Sequence, residues 1–359
     1  LALLDARRPT VKAVDAGPVE SNPPELPYLE TRGTPRERGR AVGEEFRDLI
    51  LEGIGRHVKP RFDEREPRIL EGALDFVSRR FPAMVDEMRG VAEVVGLSLW
   101  DIFNYNAFNA IGRIKTECSI VAVADERGAM YLGGNLDIDA DGVERKNYFI
   151  HRIRGDDADA VLLQWAGTIW AHGGMNAHGL AGTSASNAEV PAVTLEALPQ
   201  HLAIAHVLLT CTDVDSALAE LTAIPLLGKG QNYGFVDATG KVAVVEKASS
   251  YQSVSSGNGV CMWRTNHYLS HELRGFNGSR ELGGSATRFD RIGRMLPKPR
   301  VPDGMETLLE LLTSHGTGGL CRHGRPVCTN ASLWCNPTER TAGFSQAQPC
   351  LTSYRTVRL

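Results

Sequence analysis

The chain has 359 residues, 42% of them apolar and 23% charged, proportions that belong to a globular protein and exclude a disordered or fibrous one. Lys and Arg number 39 against 43 Asp and Glu, and the net charge of −4 supplies neither the basic surplus of a nucleic-acid binder nor an acidic tail. The longest apolar runs fall far short of the ~18 residues that cross a bilayer, so neither a nucleic acid nor a membrane is expected as a partner.

At roughly 150 residues per domain the length suits about two domains, or one large single-layered sandwich with an appended segment. The opening LALLDARRPT lacks the basic, apolar and small-residue series of a signal peptide, and Leu1 implies a start further upstream. A soluble, cytoplasmic protein is expected. Seven cysteines, an odd number spread through the chain, do not read as a disulfide framework. Cys321, Cys328 and Cys335 recur every seven residues without a CxxC pair, so they read as buried thiols in strands and no metal is expected.

The first third reads as helix. Thr34-Pro35-Arg36-Glu37 is a capping box with proline at the first helical position, followed by the stripe Val42, Phe46, Ile50 and Ile54. Helical periodicity continues over 69–81 and 83–95, where Gly96 stops it, and Ser98 caps a further helix carrying Ile102, Phe103, Ala107 and Ile111. About four helices are thus predicted before residue 117. From Cys118 the period changes. Runs at 119–124 and 130–134 around Asp125-Glu126-Arg127-Gly128 predict a hairpin, and strands follow at 148–153, 161–165 and 180–184. Helices at 201–209 and 213–222, a second hairpin at 233–236 and 242–246, helices at 286–296 and 305–312, and strands at 331–333, 342–344 and 353–357 complete the chain. Two groups of strands with helices between and outside them make a layered α+β body behind a helical leader.

A hairpin turn centred between Arg127 and Gly128 sets Cys118 opposite Asp137, with Asn135 on the same face. A thiol, a carboxylate and an amide then converge at one end of one hairpin; a slip of one residue would turn that group outward.

Thr116-Glu117-Cys118-Ser119-Ile120-Val121-Ala122, followed by Gly133-Gly134-Asn135-Leu136-Asp137, resembles the nucleophile region of the acyl-coenzyme A:6-aminopenicillanic acid acyltransferase family, cysteine-dependent N-terminal nucleophile (Ntn) hydrolases related to choloylglycine hydrolases. The likeness continues in order through Gly174-Met175-Asn176-Ala177-His178-Gly179-Leu180, Thr265-Asn266-His267 and Ser285-Ala286-Thr287-Arg288, and covers the leader at 32–39 and 87–93. The resemblance implies a four-layer αββα sandwich of two antiparallel sheets with an N-terminal helical leader. It also implies an inactive precursor cut before Cys118 into a leader, residues 1–117, and a catalytic chain, residues 118–359, which stay associated, with a homo-oligomer left open.

In such enzymes the thiol attacks the preceding carbonyl, and water then frees a new α-amino group that serves as the base for its own residue's thiol. By likeness, Cys118 is the nucleophile, Asn266 the oxyanion donor, and Asn187 a second donor, with Ser186 the alternative for that place. Asp137 holds the ammonium or thiol of Cys118, Arg288 balances that carboxylate, and Asn135 and Asn176 orient the site. Substrates would be small amides or thioesters, with no cofactor and acyl-coenzyme A as a candidate co-substrate. Glu117 stands where the family usually has glycine. Trp165, Trp170 and Trp263 are candidates for an acyl pocket, and His172, His178 and His267 for substrate contacts.

Taken alone, Arg288 beside Asp290 and Arg291 also reads as a surface ion pair, and Asn266 as a satisfier of strand-end backbone groups. Asp137-Ile138-Asp139-Ala140-Asp141-Gly142 opens like a calcium loop but has Tyr148 where the bidentate glutamate belongs. Gly228-Lys229-Gly230 lacks the spacing of a phosphate loop, and no GxSxG elbow occurs. A plain amidohydrolase and a noncatalytic binding protein of the same fold remain the competing readings.

Overall fold

The computed structural model describes residues 25–58, 65–108, 116–139, 143–156, 158–189, 195–277, 282–324 and 327–359. Strand β1 (Tyr28–Arg32) leads into α1 (Pro35–Glu45), fixed by the expected capping box: Thr34 Oγ1 accepts the Glu37 amide at 3.3 Å and the Glu37 carboxylate accepts the Thr34 amide at 2.7 Å. The predicted continuous stripe is two helices, because the backbone leaves the helical region at Phe46 before α2 (Arg47–His57). Then come α3 (Arg65–Arg80), α4 (Pro82–Val95), closed by Gly96 at φ 76°, and α5 (Leu99–Ala107), opened by a Ser98/Asp101 box. Five leader helices therefore stand among the described residues where about four were expected. Helices α1 and α4 pack backbone to backbone, since a Cβ on Gly39 would lie 1.9 Å from the Glu87 carbonyl oxygen.

The body runs β2 (Thr116–Ala124), β3 (Met130–Asp139), β4 (Tyr148–Arg154), β5 (Ala160–Trp165), β6 (Ala171–Asn176), β7 (Ala181–Glu189), β8 (Leu198–Pro199), α6 (Leu202–Thr210), α7 (Val214–Ala223), β9 (Leu226–Leu227), β10 (Lys229–Val236), β11 (Lys241–Ala248), β12 (Tyr251–Asn258), β13 (Met262–Arg264), α8 (Gly283–Met295), α9 (Gly304–Leu312), β14 (Val327–Asn336), β15 (Thr341–Gln346) and β16 (Arg355–Arg358). An eight-stranded sheet has the order β1-β4-β5-β6-β7-β10-β11-β12, a six-stranded sheet the order β13-β2-β3-β14-β15-β16, and β8 pairs with β9. Both large sheets are antiparallel except at one edge, where β1 joins β4 in parallel.

The sheets meet face to face. Ile120 of β2 lies against Gly234 of β10, and Leu333 of β14 lies against Gly173 of β6. Helix α9 covers the outer face of the smaller sheet through Leu308 and Leu312 over Gly133, and α6 covers the larger through Ile204 over Gly182. The result is the four-layer αββα sandwich expected. The leader shares its core: the Phe46 and Phe149 rings meet at 4.5 Å, tilted by 42°, and Trp165 Nε1 donates to Tyr105 Oη at 2.7 Å. No described helix is long and apolar enough to cross a membrane.

Candidate active site

The hairpin exists, but its register corrects the expected pairing by one residue. The Asp125 amide donates to the Ala129 carbonyl at 3.0 Å and the Gly128 amide to the Asp125 carbonyl at 2.9 Å, while Gly128 takes φ 85°. This loop is centred on Arg127, so Cys118 faces Leu136, Asp137 faces Glu117, and Asn135 faces Ser119. Side chains alternate along a strand, so Cys118 and Leu136 point between the sheets, and Ser119, Asn135 and Asp137 point toward the outer helices.

Cys118 is nevertheless held from several directions. Its amide donates to Asn266 Oδ1 at 2.8 Å, and its carbonyl accepts Arg288 Nη1 at 2.6 Å. Pairing of β13 with β2 explains how Asn266 arrives: Arg264 lies opposite Ile120, and the chain continues antiparallel past Cys118. Helix α8 supplies the rest. Ser285 Oγ accepts the Asn266 amide at 2.8 Å, and Arg288, one turn later on the same face, reaches Asn266 Oδ1 at 2.9 Å and Ser119 Oγ at 3.1 Å. Arg288 is 1% exposed, which overturns its reading as a surface ion pair.

Glu117, just before Cys118, is gripped by two cations. Its Oε2 lies 3.4 Å from Arg288 Nη2 and also accepts Arg322, a residue that no local pattern in the sequence singles out. Thr329, equally unforeseen, donates to Asp137 Oδ1 at 2.7 Å, while Asp137 Oδ2 has no hydrogen-bond partner among the described residues. Burial, opposed by Arg288, pushes the Asp137 carboxyl up to about 6. Burial and then the Asp137 charge push the Cys118 thiol up to about 12, so it carries its proton.

The other candidates separate. Ser186 lines the Cys118 cavity and its carbonyl accepts Asn266 Nδ2 at 2.7 Å, whereas Asn187 exchanges amide hydrogen bonds with Asn232 at 2.8 and 3.2 Å. Asn135 donates to the Leu312 and Leu320 carbonyls, both at 2.9 Å, beneath the outer helices. Asn176 donates to the Leu208 and Cys211 carbonyls and accepts the His178 and Leu180 amides, tying the β6–β7 turn to α6. Both therefore spend their amide hydrogens on framework carbonyls.

Cys118 opens on a narrow cavity of about 20 Å³ between the sheets, whose apolar wall includes Leu136, Ile138, Trp165, Trp170 and the leader's Phe108. Trp263 is not part of it. That ring meets Phe289 at 5.6 Å, tilted by 40°, on the outer face, because its partner Val121 points that way. His172 lines the cavity beside His201; burial lowers both to about 3, keeping the imidazoles neutral. His178 sits exposed in its turn and His267 Nδ1 lies 2.8 Å from Ser285 Oγ. Residues 137–139 of the calcium-like stretch belong to β3, and residues 140–142 lie outside the described residues. Among the described residues, the group of His and Cys able to hold a metal ion lies elsewhere, at His315, Cys321, His323 and Cys350.

A model of the acyl-coenzyme A:6-aminopenicillanic acid acyl-transferase family matches residues 124–323, a span that contains Asp137, Asn266 and Arg288 and begins six residues after Cys118. Solved structures similar to this chain include penicillin V acylase from Agrobacterium tumefaciens, 15% identical over 64% of this chain and 83% of that one, with a TM-score of 0.43. An N-acylethanolamine-hydrolyzing acid amidase ortholog from Caenorhabditis elegans is 13% identical over 62% and 93%, with a TM-score of 0.43. A mutant conjugated bile acid hydrolase from Clostridium perfringens is 14% identical over 67% and 92%, again at 0.43. A search of curated proteins finds no match.

Proposed function

Because the chain belongs to the acyl-coenzyme A:6-aminopenicillanic acid acyl-transferase family, we propose that it is a self-processing cysteine Ntn enzyme that cleaves or transfers acyl groups at non-peptide amide or thioester bonds. The observation that carries this reading is the double hold on Cys118, with its amide on Asn266, its carbonyl on Arg288 and its buried thiol at the cavity.

In the proposed sequence Cys118 Sγ attacks the Glu117 carbonyl carbon, the peptide C–N bond breaks as the nitrogen takes a proton, and water hydrolyses the resulting thioester. Residues 1–117 end in a new carboxylate and Cys118 gains a free amine. That nitrogen keeps Asn266 Oδ1 as its acceptor, and Asp137 Oδ2 is the charge that balances it when protonated. An α-amine has an ordinary pKa near 8, so it is suited to take the thiol proton as Cys118 attacks a substrate carbonyl. The acyl group passes to Cys118 Sγ and then to water, an amine or a thiol. Asn266 is the proposed oxyanion donor, exchanging Ser186 for the substrate oxygen; one such donor typically contributes about 10²- to 10³-fold in rate. The aromatic and aliphatic cavity wall suits an apolar acyl group, and the cycle uses no cofactor, with acyl-coenzyme A as a candidate acyl donor.

Intact-mass analysis of the wild type and Cys118→Ala under denaturing conditions, followed by assays on a panel of amides and thioesters with and without an amine acceptor, tests this. Two fragments meeting at Glu117–Cys118 in the wild type alone, with acyl turnover, are expected. An uncut chain that turns over amides at full rate overturns the mechanism, and acceptor-independent product separates hydrolase from transferase.

A further inference from the structure

Outside the cavity, four ligand-bearing side chains converge from two distant segments. His315, Cys321, His323 and Cys350 place one nitrogen or sulfur each so that all four atoms lie within 4.8 Å of one another. His315 Nε2 is 3.1 Å from His323 Nε2; His323 Nε2 is 3.1 Å from Cys350 Sγ and 3.5 Å from Cys321 Sγ; the two sulfurs are 3.4 Å apart. A tetrahedral zinc ion, with Zn–N near ~2.0 Å and Zn–S near ~2.3 Å, separates its ligand atoms by roughly 3.3 to 3.8 Å. The four spacings of 3.1 to 3.5 Å lie near that range, all six stay within 4.8 Å, and the sulfurs are too far apart for a bond of about 2.05 Å. We propose that these residues form a Cys₂His₂ structural zinc site.

The backbone is shaped for it. After α9 the chain doubles back: Gly316 and Gly318 take φ 82° and 74°, Ser314 Oγ accepts the Leu320 amide at 3.1 Å, and the Ser314 carbonyl accepts the Cys321 amide at 3.0 Å. His315 is thereby folded onto Cys321 and His323. Cys350 enters from the turn beyond β15, where Gln348 Nε2 donates to the Arg322 carbonyl at 3.5 Å. Four protein ligands fill a tetrahedron, leaving no place for a reacting water, so the site is structural. Two thiols and two imidazoles of this type favour zinc, and binding displaces the two thiol protons to solvent with the histidines neutral. The ion staples the 313–324 loop to the 347–351 turn. It thereby fixes the backbone of Arg322, which reaches Glu117.

Metal analysis of the purified full chain, expressed with zinc and dialysed against metal-free buffer, is expected to find about one zinc per chain, released by a mercurial thiol reagent. Cobalt exchanged into the site should show a thiolate charge-transfer band and the intense visible bands of a tetrahedral centre. Cys350→Ser and His323→Ala should lose most of the metal, while Cys335→Ser retains it. A reduced wild-type chain that takes up neither zinc nor cobalt overturns the proposal, as does a Cys321–Cys350 disulfide that persists in place of metal. The wild-type measurements decide the matter even where a variant fails to fold.

Discussion

Asn266 Oδ1 lies 2.8 Å from the backbone nitrogen of Cys118 and also accepts Arg288 at 2.9 Å, so one side-chain oxygen positions the atom that the proposed cleavage turns into an amine. Asn266→Asp keeps the acceptor and loses the Nδ2 donor. It is expected to self-cleave, slowly, but to turn over substrate about 10²- to 10³-fold more weakly. Asn266→Ala loses both groups and should slow both steps. Time courses of intact mass beside kcat/KM on the cut fraction separate the two roles; an Asp variant with full turnover removes Asn266 as oxyanion donor.

The structure engages the Glu117 carboxylate with Arg288 and Arg322, so Glu117 anchors the bond it precedes. Glu117→Gln is expected to slow self-cleavage about tenfold, the order of one charge-assisted hydrogen bond. Turnover per cut chain should stay within about twofold of the wild type, since Glu117 takes no part in the acyl-transfer step. Faster cleavage in the Gln variant would mean that the carboxylate hinders rather than holds.

Asp137 gives a pH signature in the uncut Cys118→Ala chain. Burial raises its carboxyl from an ordinary 3.8 to about 6, so the folded chain binds this proton more tightly than the unfolded one. The associated stability is fully present below about pH 4 and is lost as pH rises through about 6, an effect on the order of 3 kcal/mol. Urea denaturation across that window should show the decline, and Asp137→Asn should flatten it. An identical pH slope in both chains would remove Asp137 as its origin.

Phe108 brings a leader side chain to the wall of the Cys118 cavity. Phe108→Ala is expected to shift preference toward longer or bulkier acyl groups, read as kcat/KM across a straight-chain series, at a stability cost of about 3–5 kcal/mol. Trp170→Phe, a milder change, keeps that test readable if the alanine chain is too unstable. An unchanged acyl preference in both would show that the acyl group binds elsewhere.

Local chemistry made much of this fold legible. Capping boxes at Thr34 and Ser98, the stop at Gly96 and both hairpins could be read from the chain because the residues that determine them are neighbours. Strand β6 was hidden because Ala171-His172-Gly173-Gly174-Met175-Asn176 has no β-branched residue, and β12 because Tyr251–Asn258 is mostly polar and exposed. The hairpin register turned on whether its loop holds an odd or even number of residues, which Gly128 decides through its φ. The motif order led to Asn266 and Arg288 beside Cys118. Arg322, Thr329 and the His315–Cys350 cluster depend on long-range folding, for which spacing along the chain offers no sign.

The parallel pairing of β1 with β4 gives the leader a standing that scission would not revoke. Tyr28–Arg32 forms the outermost rung of the larger sheet, alongside Tyr28↔Ile150 through Arg32↔Arg154. Produced separately, residues 118–359 would display β4 as a bare edge, an invitation to self-association. Supplied together as split halves, the two pieces should reassemble into a soluble heterodimer.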